Sequence, residues 1–402
     1  MIERHIKRKL YLEKIKPYIG KSIIKVIVGQ RRVGKSFLLF QIMDELMARG
    51  YKKENIVYIN KERLEFDHIQ DYKDLVVYVK NAEKKNKIKA IFIDEIQDIS
   101  SFEKTLRHWH ATGKYDIYCT GSNANLLSGE LATYLSGRFM EFEVFGLSYV
   151  EFLDFHKLKS GKESLSKYIR YGGLPYLINL ELTDLIAFDY LKNIYNTIVL
   201  KDIVARFNVR NLAFLEKLIE YLADNIGSLV SAKKISDFLK SQKIKISSQA
   251  VLNYLSCLTA AFVVFKVPRA DIRGKKIFEI NDKYYFEDLG LRHALIGYNL
   301  EDINKVLENL VYMHLRINGY KVFVGQLGEK EIDFVAQKDG VKAYFQVAYI
   351  IDNKKTHERE FGNLLEINDN YPKYVITMDE ISGSEHKGVK HFYIIDFLLN
   401  FK

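Results

Sequence analysis

Proline is scarce in this chain of 402 residues, with four in all, beside two cysteines and one tryptophan. So few prolines cannot build Pro-rich linkers, and domain boundaries have to be read from changes of pattern. Cys119 and Cys257 lie far apart and without metal-ligand spacing, which excludes a disulfide framework and a zinc module. No apolar run approaches the ~20 residues of a membrane span, and the N-terminus, Met1-Ile2-Glu3-Arg4-His5-Ile6-Lys7-Arg8, opens with charge where a signal peptide would be apolar. The expectation is a cytoplasmic protein with no membrane partner. Internal repeats and low-complexity tracts are also missing. Acidic charge is in deficit, with 51 Asp and Glu against 61 Lys and Arg, a formal net charge of +10. That balance permits nucleic acid as a partner without requiring it. Hydrophobic residues at 48% and charged residues at 28% are those of a soluble globular protein, and the length suggests about two to four domains.

Against this background one segment stands out. Gly29-Gln30-Arg31-Arg32-Val33-Gly34-Lys35-Ser36 matches G-x-x-x-x-G-K-[ST] at every fixed position. It follows an apolar stretch, Ile23 to Val28, and precedes apolar residues at helical spacing from Ser36 to Met47, so it should lie at a strand-to-helix turn. Glycines there let backbone N–H groups turn onto phosphate oxygens, and the helix N-terminus adds partial positive charge. Lys35 supplies a point charge to β- and γ-phosphates, and the Ser36 hydroxyl can ligate Mg²⁺. The motif does not constrain Arg31 and Arg32, which could meet phosphate, a partner or solvent.

Ala90-Ile91-Phe92-Ile93-Asp94-Glu95 is a second apolar strand ending in two carboxylates, the Walker B pattern. Asp94 would hold the Mg²⁺ shell and Glu95 would orient and polarise the attacking water. Asn55 to Asn60 reads as a strand between the two motifs, so the acidic strand is not the one directly after the phosphate loop. A fourth strand, Tyr115 to Thr120, runs into Gly121-Ser122-Asn123, which also reads as a turn capping the next helix.

Beyond residue 146 a mainly helical stretch runs through Tyr171-Gly172-Gly173-Leu174-Pro175 to Ile203. Its Gly-Gly-Leu-Pro turn joins two helices, since neither glycine nor proline continues one. Helical patterns follow at Leu212 to Ile226, Ala232 to Ser241 and Ser247 to Thr259. Strand-like segments come next at Phe262 to Val267 and Lys276 to Ile280, joined through Arg269 to Lys275. The order resembles a winged helix with Ser247 to Tyr254 as recognition helix. That helix carries Gln249 and Asn253, which could read bases, and no Lys or Arg. Positive charge lies instead at Lys233, Lys234, Lys240, Lys243 and Lys245, and at Arg269, Arg273, Lys275 and Lys276. Residues Arg206 to Arg292 hold 15 Lys and Arg against 9 Asp and Glu, and such charge could grip a DNA backbone with weak sequence preference or simply face solvent.

From Leu300 the pattern is a helix at Asp302 to Gly319, strands at Lys321 to Val324, Glu331 to Gln337 and Lys342 to Ile350, a helix at His357 to Ile367, and strands at Tyr374 to Met378 and His391 to Ile395. This order resembles a restriction-endonuclease-like fold. Glu308 and Asp333 match the acids on the first helix and second strand of such nucleases. The third position reads Gln346-Val347-Ala348, an amide and a methyl group where the fold's nucleases keep an acid and a lysine. Gln346 could still offer a carbonyl oxygen to Mg²⁺, and Lys338 or Lys342 could replace the lysine. The expectation is a nuclease-derived module without nuclease chemistry, the alternatives being a working endonuclease or an unrelated α/β domain.

Taken together, Gly29 to Ser36, Phe92 to Gln97, Thr120-Gly121-Ser122, Gly172 to Pro175, Asp288-Leu289-Gly290-Leu291-Arg292, Leu307-Glu308-Asn309 and Glu331 to Phe334 resemble a family of bacterial and archaeal AAA-type ATPases. In that family a P-loop domain precedes a winged helix and a restriction-endonuclease-like domain. The resemblance implies an α/β protein with a P-loop NTPase core at residues 1–146, a helical lid at 147–205, a winged-helix domain at 206–292 and the nuclease-like domain at 293–402. It implies ATP over GTP, with Mg²⁺, and places Ser122 or Asn123 at the γ-phosphate or its water. It also makes Arg138, in Leu135-Ser136-Gly137-Arg138-Phe139, the candidate finger for a neighbouring subunit's γ-phosphate, which would need a homo-oligomer. Arg8 to Tyr11 is a candidate lining for the base pocket. The function expected is an ATPase acting as a nucleotide-driven switch or remodeller on DNA. Alternatives are an ATP-dependent DNA endonuclease and an ATP-gated switch that docks a protein partner.

Overall fold

Ile24-Lys25-Val26-Ile27-Val28 (β1) is β-branched at four of its five positions and buried along its whole length, as a parallel strand covered on both faces must be. A computed structural model describes residues 6–124, 135–244, 246–273, 281–351, 354–380 and 383–402. The chain separates into two compact units, residues 1–145 with 260–262, and residues 146–259 with 263–402.

In the first unit β1 is joined by β2 (Ile56–Asn60), β3 (Ala90–Asp94), β4 (Asp116–Gly121) and β5 (Phe139–Glu143) in a five-stranded parallel sheet of order β2-β3-β4-β1-β5. Four strands lie within a residue of the expected places, and β4 separates the acidic strand β3 from β1. The fifth, β5, was not expected; it pairs in parallel with β1, Ile24 opposite Phe139 and Val28 opposite Glu143. Lys25 sits fully buried in β1. Its ammonium donates to the carbonyls of Lys21 and Ile23 and to Asp116, which also accepts from the Gly20 N–H and the Tyr118 hydroxyl.

The second unit begins with helices Tyr149–His156, Lys162–Tyr171 and Asp184–Thr197. Ser148 caps the first through a reciprocal pair with Glu151. Helix Lys162–Tyr171 stops at Gly172, φ +76°, and a 3-10 turn begins at Pro175. Asp288 explains this turn. Its carboxylate accepts from the Gly173 N–H at 2.7 Å and the Leu291 N–H at 2.9 Å. A Cβ on Gly172 would lie 2.2 Å from that carboxylate, and one on Gly290 would lie 2.0 Å from the Tyr171 carbonyl. The Gly-Gly-Leu-Pro and Asp-Leu-Gly-Leu-Arg segments therefore interlock as packing elements.

Helices Leu212–Asp224, Ala232–Ser241 and Ser248–Ala260 follow as expected, but the expected wing is built differently. β6 (Val264–Val267) pairs antiparallel with β8 (Lys283–Phe286), and β7 (Arg269–Asp271) joins β9 (Lys321–Leu327) in parallel. All four residues of β8 are buried, and this strand had not been placed from sequence. The segment expected as the second wing strand, 276–280, lies outside the described residues, as do Lys245, Lys275 and Lys276.

β9 continues through β10 (Lys330–Lys338) to β11 (Val341–Val347) as an antiparallel meander. β12 (Lys373–Thr377) and β14 (Val389–Tyr393) extend it in parallel, and β13 (Glu385–His386) closes the edge of a seven-stranded mixed sheet. Helix Lys354–Leu365 covers one face, where Phe361 and Leu364 pack with Phe323, Ile332, Val335, Tyr344, Val375 and Val389.

Candidate nucleotide site

The phosphate loop leaves β1 at Val28 and enters helix Lys35–Ala48 through Gly34, whose φ of +97° suits a residue without a Cβ. Gly29, at φ +152°, passes over Val144, whose carbonyl oxygen lies 2.1 Å from where a Cβ would stand. Arg32 also adopts positive φ, +71°. Val33 is buried, and its carbonyl accepts from Arg8 Nη1 at 3.0 Å while Arg8 Nη2 donates to the Phe145 carbonyl. Arg8 thus ties the N-terminal segment to the loop, with its guanidinium over the Tyr11 ring; this clamp is what the structure places where a base-pocket lining had been expected.

Lys35 is buried, and its ammonium donates to the carbonyls of Gly29 and Gln30 at 3.0 and 2.9 Å. It also lies 3.9 Å from Glu95 Oε1. Gln30 turns its amide nitrogen to the Phe262 carbonyl at 2.9 Å, leaving its buried Oε1 without a hydrogen-bond partner among the described residues. Arg31 reaches Glu62 at 2.7 Å, an exposed pair of little energetic weight.

Asp94 and Glu95 lie at the end of β3, beside the loop. Thr120, at the end of β4, holds both: its hydroxyl donates to Asp94 Oδ1 at 2.5 Å, and its oxygen accepts the Glu95 N–H at 3.0 Å. On the other side, the Tyr58 hydroxyl and the Asn60 amide reach Asp94 Oδ2 at 3.0 and 3.4 Å. Ser36 also hydrogen-bonds Asp94. Burial raises the Asp94 pKa, with the neighbouring Glu95 charge adding to it, and the hydrogen bonds from Thr120, Ser36 and Tyr58 only partly offset the rise.

Glu95 adopts a left-handed backbone, φ +58° and ψ +54°, an uncommon conformation for a glutamate and one that concentrates at functional sites. Its Oε2 accepts from Ser122 Oγ at 3.2 Å and from the Gln97 amide. Burial alone would raise its pKa, but the Lys35 ammonium, the Gln97 amide, Arg31 and Ser122 outweigh burial and hold the carboxyl below its usual range.

The structure thus gathers Lys35, Ser36, Asp94, Glu95 and Ser122 at one end of the sheet. Asn123 is buried beside them in sequence. Arg138 is elsewhere. It precedes β5 and its carbonyl accepts from Ile24 N at 3.0 Å, so it lies at the opposite end of β1 from the loop, about 15 Å along the strands at ~3.3 Å per residue. Arg138 therefore has no place in the site of its own chain. Thr120, Gln97, Tyr58 and Asn60 were given no role from sequence, although Thr120 and Gln97 lie in segments that carry the family resemblance and Tyr58 and Asn60 lie in a strand read from the sequence.

The donor set fits a triphosphate with a hard divalent cation. An ammonium cradled by loop carbonyls, a hydroxyl and a carboxylate hydrogen-bonded to each other, and a second carboxylate held in its charged form are groups such a ligand takes up.

Residues 21–153 match a family model described as an AAA domain, and residues 162–302 match a domain of unknown function, DUF8612. The chain is 39% identical over 404 residues to an uncharacterized protein of Haemophilus influenzae, covering 99% of this chain and 100% of that one. It is 30% identical over 357 residues to the uncharacterized protein MJ1544 of Methanocaldococcus jannaschii, covering 84% of this chain and 77% of that one. Among solved structures it is similar to a Walker-type ATPase of Pyrococcus abyssi, with TM-score 0.49, 16% identity and coverage of 72% and 95%. It is also similar to the Aeropyrum pernix Orc1 protein in complex with DNA, with TM-score 0.33, 11% identity and coverage of 72% and 91%. No helix among the described residues is long and apolar enough to cross a membrane. With relatives aligned along most of its length, the chain belongs to the family of the Haemophilus and Methanocaldococcus proteins, and its residues 21–153 form an AAA domain whose parallel sheet sets paired acids beside a P-loop.

Proposed function

We propose that this protein binds ATP with Mg²⁺, hydrolyses it slowly, and uses the cycle as a switch or remodeller on double-stranded DNA. The observation that carries the ATPase reading is the junction at Thr120, where one hydroxyl is shared by the carboxylate suited to a metal and the backbone of the carboxylate suited to water. Ser36 and Asp94 would hold Mg²⁺, which supplies electrophilic charge to the γ-phosphate oxygens. Lys35 exchanges its loop carbonyls for phosphate oxygens, and the loop N–H groups and helix N-terminus bind the rest of the charge. Ser122 and Gln97 fix Oε2 of Glu95, orienting the carboxylate to accept a hydrogen bond from water and take its proton. Arg138 would act only on a neighbouring subunit in a homo-oligomer.

The DNA reading rests on the exposed lysines Lys233, Lys234, Lys240 and Lys243 around helix Ala232–Ser241. Such a face neutralises phosphates with little sequence preference. A protein-docking switch is the second reading, favoured by the exposed Phe238 and by Leu252 between Gln249 and Asn253. We further propose that residues 147–205, 206–292 and 293–402 act as lid, winged-helix-like and nuclease-like modules, all but residues 260–262 belonging to the second unit.

The test is Mg²⁺-dependent ATP turnover of wild type and Lys35→Ala with and without duplex DNA, with DNA integrity followed in the same tubes. Loss of about 10²–10³-fold in the variant supports the ATPase. Stimulation by DNA that stays intact supports the DNA reading, indifference to DNA favours the protein partner, and absence of turnover in wild type refutes Glu95 as a working group.

A further inference from the structure

Carboxylates also gather in the second unit. Glu308 projects from helix Ile303–Ile317, Glu331 and Asp333 from β10, and Glu360 from helix Lys354–Leu365. A restriction-endonuclease-like module would hold a divalent cation between the acids at 308 and 333. Three features argue against that ligand here. Gln346 has its oxygen engaged by the Asp333 N–H at 2.7 Å and gives its amide nitrogen to Glu360 Oε2 at 3.0 Å. Asp333 Oδ2 accepts the Val347 N–H at 2.8 Å. Glu308 Oε2 accepts from the Tyr285 hydroxyl at 3.0 Å, and a Cβ on Gly227 would stand 3.0 Å from the same oxygen, so the backbone closes over it.

A cation is nevertheless present. Lys283, the first residue of β8, is buried, and its ammonium lies 3.1 Å from Glu308 Oε2 and 2.8 Å from Glu331 Oε1. Burial works against that charge, but Glu308, Asp333 and Glu331 outweigh it and hold the ammonium above its usual pKa. We propose that the Lys283 ammonium is the resident cation of this cluster, standing where a metal-dependent phosphodiesterase would hold its divalent ion, so that the module neither needs nor takes up metal. The two cations exclude one another. Mg²⁺ requires oxygens at about 2.0–2.1 Å in near-octahedral array, and Glu308 Oε2 already carries two donors. Removing Lys283 alone should uncover the site, because buried carboxylates without a counter-charge must protonate or recruit one.

The experiment counts Mn²⁺ bound to the full-length chain without nucleotide, by electron paramagnetic resonance, in wild type, Asp333→Asn, Lys283→Met and the double variant. Methionine keeps the length of the stem and removes the charge. The expected result is equal binding by wild type and Asp333→Asn, one additional Mn²⁺ in Lys283→Met, and its loss in the double variant. Mn²⁺ binding by wild type that Asp333→Asn abolishes, or no gain in a folded Lys283→Met, would overturn the proposal. Should the variants not fold, wild type treated with Fe²⁺ and ascorbate decides the matter. Backbone cleavage near residues 308 and 333 would show a metal seated there, and cleavage confined to other regions would support Lys283 as its occupant.

Discussion

Gly172→Ala should be among the most damaging single-methyl additions this chain can suffer. Gly172 has φ +76° and ψ −164°, a region essentially closed to residues with a Cβ, and holding alanine there costs about 1–3 kcal/mol. The added carbon would also stand 2.2 and 2.5 Å from the two carboxylate oxygens of Asp288, within any tolerable contact. Asp288 cannot yield without lengthening its 2.7 Å bond from the Gly173 N–H, a charge-assisted contact worth roughly 1.5–3 kcal/mol. The two terms give about 2.5–6 kcal/mol, a large share of the 5–15 kcal/mol that holds a typical domain together. Gly113→Ala is the control: φ is +63° but no atom of the described residues lies within 4 Å of the added carbon, so only a backbone penalty of about 1 kcal/mol applies. Urea unfolding followed by circular dichroism, with peptide-level hydrogen exchange across residues 168–176 and 286–294, measures both. Asp288→Ala removes the colliding carboxylate, so the double variant should cost at least ~1 kcal/mol less than the sum of the single changes. A Gly172→Ala protein within ~1 kcal/mol of wild type, or a strictly additive cycle, would refute the interlock.

Thr120→Val keeps shape but removes the hydroxyl shared by Asp94 and Glu95, so kcat/KM for MgATP should fall about 10–100-fold while nucleotide binding in EDTA is spared; turnover within about twofold of wild type would sink the shared-hydroxyl reading. His314 is buried with Nε2 2.8 Å from the Phe401 carbonyl, and burial pushes its pKa down to about 4. The folded chain keeps this imidazole neutral while the unfolded chain takes up a proton below about pH 6.5, so its contribution to stability is intact above 6.5 and lost as pH falls toward 4. The loss amounts to about 3 kcal/mol at 1.36 kcal/mol per pKa unit. His314→Gln lacks this titration, so its stability gap to wild type should narrow by that amount between pH 7 and pH 4 in urea titrations, and a gap that ignores pH contradicts the assignment.

Much of the nucleotide site is legible because it is local. A phosphate loop needs its glycines, lysine and serine within eight consecutive positions, and the acidic strand announces itself by an apolar run ending in Asp94 and Glu95. Both follow from short-range rules of strand, turn and helix, so sequence alone places them. Sequence also determined the helices at Leu212, Ala232 and Ser248, and the order of elements from the helix at Ile303 to β12, but neither the edge strand β13 nor the final helix Ile394–Asn400. What it could not determine was which distant residues would meet. Thr120, Tyr58 and Asn60 reach Asp94 because strand order sets β4 on one side of β3 and β2 on the other, and no local pattern encodes strand order. The position of Arg138 at the far end of β1 depends on the parallel register of β5, a strand its own sequence did not reveal. Lys283 is the plainest case. In the sequence it is one lysine among many, twenty-five residues before Glu308 and fifty before Asp333; only tertiary packing, which sets β8 against the helix Ile303–Ile317, buries it against those acids. Buried charge acts through distances of a few ångströms in a medium that screens poorly, so its partners are chosen by tertiary packing and not by neighbours in the chain.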